Sequence, residues 1–363
     1  LASEFDFARA GRIACGILDL YDKTLRVSKN PKGLLLYMNN FDFVSPTSLP
    51  EALALLSPDA RPIAGGTDLL ALMKNEVVAP TTLVNLDGLA GFGDIREDDA
   101  GLHIGAGARI ADVLAWPHIW QTYPLLAYAC QYVGWPEIRT MGTIGGNLCQ
   151  RPRCWYFRHP LGTRCLKRGG DTCYPLTGRA DGFFAIFGGG PCYAVHPSDS
   201  APALIAMDAT VTIASATQQR TMPLADFFAS DDLTRETSLQ PNELLLAIDV
   251  PKPQPNARTY YRKSKRRPSH DFSGVSVALS VAMQDGVCSD MRLVLGSVAL
   301  KPWRLFEVEQ LLEGKRVDAS LVAQASAFAV RDAKPLVSSH GTTNATKLKL
   351  TEVWVRRALT TLV

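Results

Sequence analysis

Cys154, Cys165, Cys173 and Cys192 are spread through one segment directly after the glycine turn Thr143-Ile144-Gly145-Gly146-Asn147. A thiolate is a soft ligand, and four thiolates around one point suit an iron–sulfur cluster or a zinc ion. Their spacings of eleven, eight and nineteen residues fit no common zinc finger, whose ligands come in close C-x-x-C-like pairs. A cluster tolerates long spacings because the cube itself sets the geometry. Cys149, five residues before Cys154, is a fifth candidate for the four places. Arg151, Arg153, Arg158, Arg164, Lys167 and Arg168 can offset a cluster's negative charge, and Trp155, Tyr156 and Phe157 can shield it from water. The same segment also reads as a zinc-stabilised interaction module, as scattered disulfides, or as a basic aromatic patch for nucleic acid. A formal net charge of only +3 fits the last poorly.

Two glycine segments carry the other chemistry. Ala64-Gly65-Gly66-Thr67-Asp68 joins an expected strand to an expected helix, where free N–H groups and the helix dipole favour an anion. Glycines there remove the Cβ atoms that would hold a pyrophosphate off the backbone. The segment is neither a G-x-G-x-x-G nor a Walker loop, and alone it reads first as a tight turn. Thr143 to Asn147 has the same chemistry, with no helix expected after it. Two such loops can grip a dinucleotide from opposite sides; a pair of β-turns needing positive φ is the competing reading. Asp199, in His196-Pro197-Ser198-Asp199, can accept from a ribose hydroxyl, cap the next helix, or do both. The run Lys263-Ser264-Lys265-Arg266-Arg267 reads as a solvated strand end able to lend one cation to a diphosphate. His103, His118, His159 and His270 show no ligand spacing, and no Ser–His–Asp set supports hydrolysis.

The elements that must position these residues follow from pattern. Ser48 with Glu51 is a capping box opening an apolar helix over 52–56. A strand at 61–63, a helix at 69–74 and a strand at 83–86 predict a small parallel βαβ unit. Further expectations are a strand at 101–106, helices at 109–116 and 125–133, a helix at 201–207 and a strand at 210–213. Pro251-Lys252-Pro253-Gln254-Pro255 marks a boundary. Beyond it, strands are expected at 259–263, 275–283 and 291–298, and helices at 305–312 and 346–362. Residues 1–37 show no clear period and read as an upstream extension before a natural start at Met38, or secondly as a docking arm.

The chain of 363 residues, 47% apolar and 20% charged, has room for two or three domains. No apolar run is long enough to span a bilayer, so no membrane insertion is expected. No secretory signal is read at the N-terminus. Eight cysteines are too sparse for a disulfide scaffold, and five of them fall between Cys149 and Cys192, which favours metal ligation. Cys15, Cys130 and Cys288 read as small core hydrophobes.

Together, Ala64-Gly65-Gly66-Thr67-Asp68-Leu69-Leu70, Thr143-Ile144-Gly145-Gly146-Asn147 and Gly296-Ser297-Val298-Ala299 resemble the FAD subunit of molybdenum hydroxylases, over about residues 38–363. That group includes the medium subunit of carbon monoxide dehydrogenase and the flavin domain of xanthine dehydrogenase. The insertion, from Asn147-Leu148-Cys149-Gln150-Arg151-Pro152-Arg153-Cys154 onward, is similar to that of the flavin subunit of bacterial three-subunit aldehyde oxidoreductases.

The resemblance implies an α+β flavoprotein. Two α/β subdomains of the vanillyl-alcohol-oxidase (PCMH-like) type, 38–95 and 96–250, would hold FAD. The insertion 149–192 would carry a [4Fe–4S] cluster, and 255–363 would form a C-terminal α+β domain as in carbon monoxide dehydrogenase flavoprotein. It implies FAD contacts at Pro62, Ile63, Ala64, Gly65, Gly66, Thr67, Asp68, Leu69, Thr143, Ile144, Gly145, Gly146, Asn147 and Asp199, with Leu245 and Lys263 at further positions. Cluster ligands are implied at Cys154, Cys165, Cys173 and Cys192, with Cys149 near but unbound. Two departures stand out: the insertion separates Asp199 from the second glycine loop, and the family's Gly-Gly-Val-Ala is Gly-Ser-Val-Ala here, so no contact is assigned there.

The implied partners are a large molybdopterin subunit that oxidises an aldehyde and a small subunit with two [2Fe–2S] clusters. Electrons would pass through FAD here to an external acceptor, and no residue of this chain need act on the aldehyde. The compartment is cytoplasm or, by export with a partner, periplasm. A 4-hydroxybenzoyl-CoA reductase β subunit is the alternative; the shorter last cysteine spacing expected there favours the aldehyde enzyme.

Overall fold

Capping chemistry starts the first helix where the sequence expects it. In the computed structural model, Ser48 Oγ accepts the Glu51 N–H at 3.4 Å, while the Glu51 carboxylate accepts the Thr47 N–H at 2.9 Å. This opens α1 (Leu49–Leu55), which follows β1 (Asp42–Val44). The structure describes residues 39–228, 232–267 and 270–363, so the reading of 1–37 lies outside the described residues. The chain divides into Leu1–Tyr37 and Met38–Val363.

β1, β2 (Ala60–Ile63) and β3 (Thr82–Asn85) form an all-parallel sheet in the order β1-β3-β2, with α2 (Leu69–Lys74) crossing from β2 to β3. This is the expected βαβ unit with one strand added. β1 is three residues long and mostly exposed, so it carries no period, and pairing with β3 orders it.

A second sheet is antiparallel, in the order β4-β5-β8-β6-β7. It comprises β4 (Ile95–Glu97), β5 (Gly101–Gly105), β6 (Thr210–Ala214), β7 (Gln219–Pro223) and β8 (Leu244–Pro251). Its inward residues Leu102, Ile104, Val211, Ile213 and Ile248 share a core with Leu126 of α3 (Pro124–Gln131) and Leu204 of α5 (Ser200–Ala206). Between these two helices lies α4 (Ile144–Cys149), which carries the second glycine segment.

The third sheet, β12-β11-β10-β9, is also antiparallel: β9 (Ala257–Ser264), β10 (Val275–Gln284), β11 (Val287–Gly296) and β12 (Trp303–Arg304). Val275, Val277, Leu279 and Val281 of β10 pack in one core, while Ala278 belongs to the core that contains α3 and α5. Covered on both faces, β10 reads as a nearly unbroken apolar run. The first of these cores is closed by α6 (Phe306–Leu312), α7 (Ala319–Phe328) and α8 (Ala345–Thr360). Helix α7 has no counterpart in the sequence expectations. Its apolar residues are mostly alanines, and its one clear signal is Asp318, whose carboxylate accepts the Leu321 N–H at 2.8 Å. Ser297, where the related motif has glycine, sits at φ 62°, the left-handed region that glycine enters freely. No described helix is long and apolar enough to cross a membrane.

Candidate cofactor site

The first glycine segment leaves β2 and enters α2. A Cβ on Gly65 would overlap the Met141 carbonyl oxygen, so only glycine lets these two backbone stretches touch. Gly66 has φ 66° and serves the turn itself. Asp68 stands at the head of α2 but does not cap it. Its carboxylate accepts the Arg151 N–H at 2.9 Å and faces Arg153 at 2.9 Å and Arg158 at 2.7 Å.

The second segment corrects an expectation, because a helix does follow it. Thr143 caps α4, its hydroxyl accepting the Gly146 N–H at 3.1 Å. Neither Gly145 nor Gly146 has positive φ, so the β-turn reading fails as well. Gly145 is glycine because a Cβ would lie 2.7 Å from the Ala106 Cβ, where the Gly145 N–H donates to the Ala106 carbonyl at 2.9 Å. The two segments adjoin each other. Met141 and Gly142 bring them together as one continuous wall.

That wall lines a cleft of about 980 Å³, near the top of the ~300–1,000 Å³ range of small-molecule sites. Pro62, Ile63, Ala64, Gly65, Gly66, Thr67, Asp68, Leu69, Thr143, Gly145, Gly146 and Leu245 all line it. The glycine wall, with no Cβ in the way, and a cleft of this size fit an extended dinucleotide. Four expected contacts lie elsewhere. Ile144 is core, and the Asn147 side-chain oxygen accepts from Ser198 and Ser200 at 2.6 and 2.7 Å.

Asp199 and Lys263 instead pair with each other at 2.7 Å, both buried. Lys263 Nζ also donates to the Tyr132 carbonyl at 3.1 Å, so it is neither solvated nor turned to the cleft. Burial raises the Asp199 pKa, and Lys263 opposes that. The cap of α5 is supplied by Ser198, whose hydroxyl accepts the Ala201 N–H at 3.1 Å.

His196 precedes this pair, with Nε2 3.2 Å from the Leu148 carbonyl. Burial, followed by the charges of Lys167 and Arg153, pushes its pKa down to about 3. As pH falls, the unfolded chain therefore takes the proton first, and stability is lost between about 6.5 and the folded value. Between pH 7.5 and 5 this loss is expected to be about 2 kcal/mol. Urea titrations of the wild type and His196→Gln at both pH values check it; an equal loss in the variant would assign the pH dependence to other groups.

Cys154, Cys165, Cys173 and Cys192 line one small cavity, whereas Cys149 lines the large cleft. The Cys173 thiol donates to Cys192, which lowers the Cys192 pKa and raises that of Cys173. Burial pushes Cys154 up to about 12. Among the described residues, no three His, Cys, Asp or Glu side chains close on one point tightly enough to hold a single ion. The donor set is all sulfur, which is the chemistry an iron–sulfur cube takes.

Of the six basic residues, Lys167 alone lines the cysteine cavity among the described residues. Arg153 and Arg158 serve Asp68, Arg164 pairs with Asp171 on the surface, and Arg168 donates to the His159 and Glu76 carbonyls. Phe157 is buried and Tyr156 stacks on Tyr174, while Trp155 stays 39% exposed. Residues 232–245 add Thr234, Glu236 and Glu243 to the cleft. That stretch is polar and aperiodic, so only its fold-back from a distant part of the chain reveals it.

The FAD binding domain of molybdopterin dehydrogenases matches residues 39–253, and the CO dehydrogenase flavoprotein C-terminal domain matches 259–362. The chain is 39% identical over 263 residues to the aldehyde oxidoreductase FAD-binding subunit PaoB of Escherichia coli, covering 71% of this chain and 80% of that one. It is 29% identical to the glyceraldehyde dehydrogenase medium chain of Sulfolobus acidocaldarius, over 79% of this chain and 86% of that one. Among solved structures, carbon monoxide dehydrogenase from Hydrogenophaga pseudoflava superposes with a TM-score of 0.71 at 25% identity, covering 89% of this chain and 97% of that one.

Proposed function

Because this chain belongs to the FAD-binding medium subunits of the molybdenum hydroxylases, we propose that it is the FAD and [4Fe–4S] subunit of a molybdenum-containing aldehyde oxidoreductase. The observation that carries this reading is the adjacency of two sites: a glycine-walled cleft and a cavity lined by four thiols. Leu72 of the cleft packs directly on Phe157 and Cys165 of the cavity. The 39% identity to an aldehyde oxidoreductase subunit supports the substrate class.

The backbone N–H groups of Ala64 to Asp68 would donate to the diphosphate, Pro62, Ile63, Leu69, Thr143, Gly145 and Gly146 would line its path, and Leu245 would pack on the cofactor. Asp68, held by Arg153 and Arg158, fixes the first segment to the cysteine-bearing one. Bound FAD supplies the redox chemistry, relaying electrons between the centres of a large molybdopterin subunit and a small [2Fe–2S] subunit and an external acceptor. Cys154, Cys165, Cys173 and Cys192 would ligate the cluster.

The test is anaerobic purification of the assembly with flavin, iron, sulfide and zinc quantified, together with a Cys165→Ser variant. We expect stoichiometric FAD in both proteins and a [4Fe–4S] EPR signal lost only in the variant. Zinc without that signal in the wild type would make the insertion a zinc-stabilised module, and absence of flavin would remove the whole reading.

A further inference from the structure

Lys167 occupies an unusual place, since it lines both the cleft and the cysteine cavity. It is the one charged residue among the described residues lining that cavity. It sits on a 3₁₀ turn, Leu166–Arg168, that begins at Cys165, and it is only 4% exposed. Nζ pairs with Glu236 Oε1 at 2.9 Å and donates to the Arg235 carbonyl at 3.2 Å. Glu236 also accepts Arg151 Nε at 2.8 Å, which leaves a triad of two cations and one carboxylate, Lys167 and Glu236 buried and Arg151 half-buried, between the two sites. Burying such a triad stabilises a fold little, because desolvation offsets the Coulomb gain. Apolar residues would make an equally good wall, so the triad calls for another reason.

Its charge supplies one. A thiolate-ligated cluster and a diphosphate are both anionic, and an ammonium in a low-dielectric wall acts on each with little screening. Resting on the reading of the two sites as FAD and cluster sites, we propose that Lys167 is their shared counter-charge, a positioning residue that sets both redox potentials together, with Glu236 as its attenuator. Arg153 and Arg158 are committed to Asp68, Arg164 to Asp171 and Arg168 to the His159 and Glu76 carbonyls, while Arg151 shares Glu236 with Lys167.

The charge predicts opposite signs from the two partners. In the intact assembly, Lys167→Gln should lower the potentials of both cluster and flavin, each one-electron equilibrium shifting about tenfold, ~59 mV. Glu236→Gln should raise both, and Lys167→Arg should restore wild-type values. EPR-monitored titration reads the cluster and visible spectroscopy reads the flavin, with iron and flavin contents measured alongside. Potentials that stay put, or only one centre moving, would overturn the inference. Should Lys167→Gln fail to assemble, the upward shift in Glu236→Gln decides alone. A wild type lacking flavin or iron would instead sink the functional reading, so the two failures are distinguishable.

Discussion

Replacing Gly65 by alanine is expected to weaken flavin retention at least about tenfold. The added methyl would overlap the Met141 carbonyl oxygen, which belongs to backbone and cannot rotate away. Forcing extra atoms into a packed site typically costs ~1–3 kcal/mol, and ~1.4 kcal/mol is tenfold in affinity. Relief requires the two glycine segments to part, which opens the wall that would cradle the diphosphate. Gly88→Ala is the control, since a Cβ there meets nothing closer than the Pro46 carbonyl at 3.6 Å. Flavin content after gel filtration, with circular dichroism to confirm folding, reads the result. Full flavin retention in Gly65→Ala would separate this segment from the cofactor.

The buried pair of Asp199 and Lys263 carries the second large effect. Lys263→Met removes the only side-chain cation bonded to the Asp199 carboxylate among the described contacts, and that carboxylate is buried. Breaking a buried pair from one side costs ~3–5 kcal/mol, whereas removing both charges costs far less. Asp199→Asn with Lys263→Met is therefore expected to recover most of the loss in a denaturant series. The pair ties α5 to β9, so its loss loosens the contact between the second and third sheets. A single-variant cost below about 1 kcal/mol would show that the charges are not confined as their burial indicates. If the two groups instead bind cofactor, flavin loss in Lys263→Met would precede any loss of stability.

Much of this architecture was legible because it is local. The capping box at Ser48 and Glu51, the alternation from 61 to 86, and the long apolar runs of β10 and β11 each follow from residues a few positions apart. Proline at 251, 253 and 255 marks the junction of the two matched family domains, with Pro255 between them. Helices α4 and α7 were not legible: one carries two glycines, which disfavour helix, and the other, for all its alanine, has too weak an apolar stripe to stand out as an amphipathic helix.

Sequence alone determined which groups this protein brings to its candidate sites: five cysteines in one aperiodic insertion, and glycines at the two points where backbone must meet something closely. What that something is belongs to the tertiary structure. At Gly65 and Gly145 it is first of all another stretch of backbone, Met141 and Ala106. Tertiary structure also decided how the charges are spent. Asp199 meets Lys263, Asp68 meets Arg153 and Arg158, and Lys167 meets Glu236, each across dozens of residues. No local pattern encodes such pairs, because a buried charge is matched by whichever opposite charge the packing of distant elements brings within hydrogen-bond reach.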